Sequence, residues 1–190
     1  YQCTKIGQVF SVWLKIELGV PQGSILGPLL FNIFINDIFY SFLKKTDICN
    51  FADDNSLYKC AANIETVIAS LQHDLSIVLD WFVANQLVVN PAKFQMMLLG
   101  HTNVDDLYIE VENYKLKPLD SVKLLGISID SKLTFNDHIL SLCKKANRGV
   151  WCLYRVRKFV TLDQARLLFN SYILSQFNYC SIVWIFCNKT

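Results

Sequence analysis

No C-x-x-C pair and no Cys/His spacing suited to zinc occurs in this chain, although seven of its 190 residues are cysteine. An odd count without paired spacing argues against a disulfide framework and for reduced thiols in the core of an intracellular protein. An initiator methionine, a basic leader and a signal-peptide pattern are lacking too. The first residues, YQCTKIGQVFSVW, carry no start signal, so the chain reads as cut from something longer. Internal repeats and low-complexity tracts are absent. Charge is scarce: 18% of residues are charged and the net charge is +2, so a nucleic-acid partner would have to be met by a local patch. With 53% hydrophobic and 13% aromatic residues, the composition excludes disorder. The length fits one ordinary domain, or one with a small appendage.

The run ILGPLLFNIFINDIFYSFL (25–43) is long enough to raise the question of a membrane span. Asn32, Asn36 and Asp37 lie inside it and Pro28 near its start; polar groups at bilayer depth are costly, so a buried core helix is the better reading. No membrane partner is expected. Residues 6–18 read as short strand material, followed by the loop GVPQGS (19–24). A helix is predicted from about Ser24 to Phe42, with Pro28 tolerated in its first turn. ICNFADDNSLY reads as strand, tight turn, strand, with Asp-Asp-Asn as the turn.

Residues 64–82 carry the strongest period. Ile64, Val67, Ile68, Leu71, Leu75, Val78, Leu79 and Phe82 fall on one helical face, with Asn63 as N-cap and Glu65 at the positive end of the dipole. Asn90–Pro91 ends this unit. Strands are expected at 93–100, 107–111 and 122–129, and HTNVDD (101–106) is the likeliest insertion point. From Asn136 the pattern is helical: one amphipathic helix through residue 159, then a second over TLDQARLLFNSYILSQF. On the first, Ile139, Leu142, Cys143, Ala146, Val150 and Leu153 share a face, and Lys144, Arg148, Arg155 and Lys158 share the opposite one. The chain is therefore mixed α/β to about residue 130 and all α beyond.

Asp53 and Asp54, in NFADDN, stand together in an otherwise apolar stretch. Asp is common in turns, so taken alone the pair means little. Two adjacent carboxylates repel each other, however, and a hairpin tip presenting acidic oxygens suits Mg²⁺, a hard ion that prefers such donors. The surroundings are specific. GVPQGSILGPLLFNIFINDI (19–38) followed by FADD (51–54) resembles motifs B and C of reverse transcriptases, especially the non-LTR, LINE-type retrotransposon enzymes. LDWFVANQLVVNPAKFQMMLLG (79–100) resembles their motif D. KLLGISIDSKLTFNDHI (123–139) resembles the primer-grip hairpin leading into the thumb, and the helices ending FNYCSIVW resemble the thumb. Nearly the whole chain is covered.

The resemblance implies an α/β polymerase palm, a small antiparallel sheet with packed helices, over residues 1–130, followed by an all-α thumb over 131–190. It implies RNA-directed DNA polymerase activity: two-metal nucleotidyl transfer from dNTP onto a primer 3′-hydroxyl, with Mg²⁺ or Mn²⁺ as cofactor and an RNA template and DNA primer as partners. Asp53 would be the motif C metal ligand and Asp54 its less critical neighbour. Gln22, Gly23 and Ser24 would lie beside the incoming nucleotide and template, the glycines leaving room for close approach. Lys93 would protonate or stabilise the departing pyrophosphate. Leu125 and Gly126 would sit on the hairpin that steadies the primer end. Lys144, Arg148, Arg155 and Lys158, with Lys145, Arg157 and Arg166 nearby, would track a phosphate backbone.

Plainer readings stand beside these. Gly19 and Gly23 also read as residues that only shape a loop; Lys93 reads equally as a solvated residue after the Asn-Pro turn. The basic stripe is also what a solvated helix face looks like. His73, His101 and His138 have no partners at ligand spacing, and Asp37 and Asp47 read as helix and loop polar groups. The family takes a further aspartate from motif A, upstream of motif B, yet residues 1–18 contain none and Glu17 is their one acid. The expectation is a palm-and-thumb piece that needs an upstream palm and fingers segment to polymerise. The alternative is a catalytically dead nucleic-acid-binding remnant of a retrotransposon. An RNA-dependent RNA polymerase is disfavoured by GVPQGS and LLGI, and a ligand-free structural domain is the third competitor. The location expected is intracellular, nuclear or cytoplasmic, and not secreted.

Overall fold

The computed structural model describes residues 1–17, 19–21, 23–40, 45–100 and 107–186. Gln22, His101, the 101–106 stretch and the predicted helix end at Phe42 lie outside the described residues. The chain forms two compact units, Tyr1–Val89 and Asn90–Thr190. These units divide at a different place from the boundary that the sequence reading set at residue 130.

In the first unit, Lys5–Ile6 (β1) and Val9–Phe10 (β2) pair as a hairpin around Gly7, whose φ of 63° suits a residue without Cβ. The 6–18 segment predicted as strand therefore folds back on itself, and beyond Phe10 it retains one bridge, Leu14 to Gln2. The helix predicted from Ser24 begins later, as Gly27–Ile35 (α1), and continues as a 3₁₀ turn over Asn36–Tyr40. Gly23, at φ 81°, keeps the preceding loop non-helical. Ser24 Oγ accepts the Gly27 N–H at 2.9 Å, satisfying one of the orphan donors of the helix start.

Asp47–Phe51 (β3) and Asp54–Tyr58 (β4) pair antiparallel, with Asn50 opposite Asn55 and Phe51 opposite Asp54. The turn is Ala52-Asp53, not Asp-Asp-Asn: Asp54 and Asn55 already belong to β4. Ile64–Ala84 (α2) follows Asn63 as predicted, although the Asn63 side chain makes no capping hydrogen bond. By length and composition α2 is the one described helix that would cross a membrane. Its apolar face is spent internally: Val78 and Phe82 join Ile35 and Ile38 in a buried cluster, with Ile48 and Leu57 of the β3–β4 hairpin packed on it. A lone two-stranded hairpin is marginal in water, so this packing is what holds β3–β4.

Asp74 was not anticipated. It lies on the buried side of α2 with no exposure at all. Its Oδ2 accepts from the Thr46 amide at 2.8 Å and the Thr46 hydroxyl at 2.7 Å, and its Oδ1 faces His73 Nδ1 at 3.0 Å. Burial by itself raises the Asp74 carboxyl, but the Thr46 hydroxyl, His73 and the Thr46 amide outweigh it and hold the pKa below the ordinary 3.8.

In the second unit, Pro91–Lys93 forms a 3₁₀ turn capped by the Asn90 side chain. The strand predicted at 93–100 is reduced to one parallel bridge between Met96 and Pro118. Ile109–Val111 (β5) pairs with Tyr114–Leu116 (β6), a strand not foreseen, and Ser121–Leu124 (β7) pairs with Ile127–Asp130 (β8). The 122–129 stretch is thus a hairpin in itself. Among the described residues all four sheets are separate two-stranded hairpins, where one small antiparallel sheet was expected. Their strands are two to five residues long and each pairs with its immediate chain neighbour.

Asn136–Val156 (α3) runs into a 3₁₀ turn, and Leu162–Phe169 (α4) continues through a π turn over Asn170–Leu174 into Ser175–Asn178 (α5). A capping box starts α4: Thr161 Oγ1 accepts from the Gln164 amide, and Gln164 Oε1 accepts from the Thr161 amide. The buried stripe of α3 is His138, Leu142 and Ala146; Cys143 and Val150, predicted on the core face, are exposed. Gly149 explains the rotation: a Cβ there would stand 2.9 Å from Ile173 Cγ1, so the π turn crosses α3 at the glycine and not at Val150.

Asp130, ending β8, accepts from the amides of Lys132, Thr134 and Phe135 and from the Thr134 hydroxyl, fixing the loop into α3. Burial raises its carboxyl, and these bonds prevail to leave it lowered. His138 is buried, and its Nδ1 accepts from the Ser128 amide at 3.4 Å. Burial, with the Lys145 charge behind it, lowers its pKa below 6.5 and keeps the ring neutral.

Replacing Asp74 by Asn should lower stability by about 2 kcal/mol, since one Thr46 donor or the new amide is left badly matched in the core. Asp74's folded pKa lies below its unfolded one, so its stabilisation is complete above 3.8 and vanishes as pH falls through the folded value. Denaturant unfolding against pH should show a larger acid loss in the parent than in Asp74→Asn, where the lowered Asp130 carboxyl still contributes. His138 acts at higher pH: its stabilisation is complete above 6.5 and falls away below, as the unfolded chain takes up a proton that the folded chain refuses. Thermal midpoints on either side of that value should separate in the parent and draw together in His138→Gln.

Candidate active site

The β3–β4 tip is a two-residue loop. Ala52 holds φ 52°, a left-handed conformation that costs an L-residue roughly 1–2 kcal/mol. Asn55 Nδ2 donates to the Asp53 carbonyl at 3.1 Å, which ties the second loop residue to its own strand. Asp53 therefore sits at the apex and Asp54 on the first rung of β4, both exposed. Among the described residues neither carboxylate has an ion-pair or side-chain hydrogen-bond partner. Exposure weakens the electrostatic case made from the sequence, because water screens the repulsion between the two. What remains is their chemistry: two hard oxygen donors held at a fixed tip, with no side-chain partner among the described residues.

Behind the apex, Asn50 and Asn55 face each other on the same side as the core residues Ile48 and Leu57. Asn50 Nδ2 and Oδ1 and Asn55 Oδ1 are buried without hydrogen-bond partners. Polar atoms in that state are uncommon and destabilising, so the base of the tip is not optimised for stability.

Gly23 of the GVPQGS loop holds φ 81°, and a Cβ there would meet nothing within 4 Å. The glycine is needed for its backbone conformation, not to clear space within this chain. Ser24 is committed to the Gly27 amide, and Gly27 is the crowded position: a Cβ there would lie 2.8 Å from Ser24 Oγ and 3.2 Å from the Pro21 carbonyl. Sequence reading passed over Gly27; its place three residues after a Ser, ahead of Pro28, was the available signal.

The other predicted residues lie in the second unit. Lys93 closes the 3₁₀ turn, its amide donating to the Asn90 carbonyl at 3.0 Å and its side chain exposed. Leu125 and Gly126 are the two loop residues between β7 and β8, with φ 46° and 84°. Positive φ at both positions is the arrangement in which Asn-Gly is favoured, so Leu125 is strained there. A contact not foreseen holds it: the Tyr179 hydroxyl donates to the Leu125 carbonyl at 2.7 Å, from just beyond α5. Val183 continues the clamp by packing with Ile127 and Phe135. Lys144, Arg148, Arg155 and Lys158 are all exposed on or just beyond α3, and Arg148 Nε donates to the Lys144 carbonyl at 3.3 Å.

Among the described residues, no group of three or more His, Cys, Asp or Glu converges on a possible metal position. Asp53 and Asp54 fit a divalent cation in donor type and fall short of it in number, since such ions take six or more oxygens.

The family model described as reverse transcriptase (RNA-dependent DNA polymerase) matches residues 5–129, which contain the loop, the Asp-Asp tip and the Leu-Gly tip. The chain belongs to the reverse transcriptase family. Curated relatives of this reverse transcriptase chain carry the match beyond residue 129. A probable RNA-directed DNA polymerase from transposon BS of Drosophila melanogaster is 26% identical over 95% of this chain and 21% of its own length. A retrovirus-related Pol polyprotein from the type-1 retrotransposable element R1 2 of Nasonia vitripennis is 28% identical over 87% of this chain and 43% of its own. The RNA-directed DNA polymerase from mobile element jockey of Drosophila funebris is 31% identical over 67% of this chain and 14% of its own. These are non-LTR retrotransposon proteins, and the chain spans less than half the length of each. No solved structure matches the chain with significance.

Tyr179→Phe should free the Leu125 carbonyl and leave the fold intact. Amide exchange at residues 125–128 should quicken by about 5-fold, the worth of one hydrogen bond of about 1 kcal/mol, while α3 amides keep their rates.

Proposed function

We propose that this chain is the catalytic-hairpin and helical part of an RNA-directed DNA polymerase, with palm character up to residue 130 and thumb character beyond. The observation that carries the reading is the exposed Asp53-Asp54 tip, held on the α1–α2 core in a chain of the reverse transcriptase family. On this reading Asp53, with Asp54 beside it, holds Mg²⁺ or Mn²⁺, and the GVPQGS loop borders template and dNTP. Divalent ions held there would supply activation of the primer 3′-hydroxyl and neutralisation of the triphosphate. The chain's own residues do the rest. Lys93 supplies a proton or positive charge to the departing pyrophosphate, the Leu125-Gly126 tip steadies the primer end, and the α3 cations grip backbone phosphates.

Residues 1–18 offer Glu17 as their one acid, and it is exposed and paired with Lys15 at 2.9 Å. Since no third carboxylate joins Asp53 and Asp54 among the described residues, catalysis on this reading needs one from another segment. A second reading, a nucleic-acid-binding remnant without catalysis, is favoured by the exposed basic face of α3 and requires nothing of Asp53.

Mn²⁺ titration followed by water-proton relaxation separates the two. Weak saturable binding that is lost in Asp53→Asn supports the metal site; binding that is absent, or indifferent to Asp53, removes it. Primer extension with Mg²⁺ and dNTPs should show no incorporation by this chain alone. Clear incorporation would mean that the missing carboxylate is not needed.

A further inference from the structure

One line of α3 carries more than charge. Lys144, Arg148 and Arg155 recur at four and seven residues, which stacks them along one side of the helix. Trp151 falls on that same line, between Arg148 and Arg155, and is 68% exposed. Tyr154, equally exposed, meets it in a T-shaped contact with ring centroids 6.1 Å apart. Just past the helix end Phe159 is 77% exposed, with Lys158 Nζ 5.1 Å from its ring centre. From residue 138 to 162 there are six Lys or Arg and no Asp or Glu.

Phosphate binding alone asks for cations and has no use for an indole. A duplex keeps its base faces inside the stack, so only unpaired bases can lie on an aromatic ring. At about 1.5 Å rise per residue, Arg148 and Arg155 stand about 4.5 and 6 Å along the axis from Trp151. Those spans let the two guanidiniums meet the phosphates on either side of one stacked nucleotide.

We propose that this face takes single-stranded nucleic acid, with an unpaired base stacked on Trp151 and its flanking phosphates on Arg148 and Arg155. This deepens the reading of the basic face given above and rests on it for the phosphate contacts.

The probes are a fluorescent oligothymidylate and a blunt DNA duplex, bound to the intact chain and followed by anisotropy across a salt series. Trp151→Ala should weaken the single strand by roughly 5- to 100-fold, the range for one stacked base, and the duplex by less than about 2-fold. Its salt slope should not change, and Trp151→Phe should recover most of the affinity. Arg148→Gln with Arg155→Gln should weaken both probes and reduce the single-strand slope by about 1.4. Matching thermal midpoints confirm that the variants fold. If Trp151→Ala weakens both probes alike or neither, while the arginine pair still matters, stacking is overturned and the basic face stands. If the arginine pair changes nothing and binding ignores salt, both fall, and an apolar protein segment is the better occupant of the aromatic patch.

Discussion

Asp74 joins the two halves of the first unit that the sequence leaves apart. Its carboxylate takes both the amide and the hydroxyl of Thr46, the residue immediately before β3, and so anchors the root of the β3–β4 hairpin to the middle of α2. The apolar cluster of Ile35, Ile38, Val78 and Phe82 presses on the same hairpin through Ile48 and Leu57. Apolar packing is non-directional and would tolerate a shifted strand; the hydrogen-bonded carboxylate does not. The position of the Asp53 apex is therefore set from its base, by a residue far from it in the chain.

The second unit uses the same device with different parts. Asp130 gathers three backbone amides in the turn between β8 and α3, and neutral His138 reaches from α3 back to the Ser128 amide of β8. Hairpin and helix are thus fixed to each other by polar bonds at one end, while Tyr179 and Val183 hold the other. The strain at Leu125 is maintained by these contacts, as local strain must be. The hairpin tips proposed as functional are each strained at a non-glycine residue, Ala52 in one unit and Leu125 in the other.

Long-period features were legible in the sequence. The 3.6-residue repeat of α2 and the α3 helix follow from local chemistry, whereas the motifs and their order were read from the resemblance to a known family. What escaped depends on partners distant in sequence. Asp74 reads as a polar interruption of an apolar face until Thr46 is beside it. Cys143 and Val150 fit the core period of α3, yet the crossing at Gly149 turns the helix away from them. Short apolar runs misled in the expected way: 122–129, read from its pattern as one strand, contains its own turn at Leu125 and Gly126, which the family resemblance alone had implied. At the site, the residue types at the two tips were readable, but Tyr179 was not, because a tyrosine's hydroxyl leaves no periodic trace.

Four separate hairpins have a further consequence. Among the described residues each two-stranded ribbon leaves both outer rows of amide and carbonyl groups without a partner strand, and β3–β4 has the longest such rows, five residues on each side. Unengaged rows invite strand addition, whether from a proper companion segment or from another copy of the chain. The charged residues along this ribbon, Asp47, Asp53, Asp54 and Lys59, sit near its ends, leaving Ile48 to Phe51 and Asn55 to Tyr58 without a gatekeeper. The ribbon that carries the paired aspartates is therefore also the longest open edge among the described hairpins, and what covers that edge is expected to protect the tip.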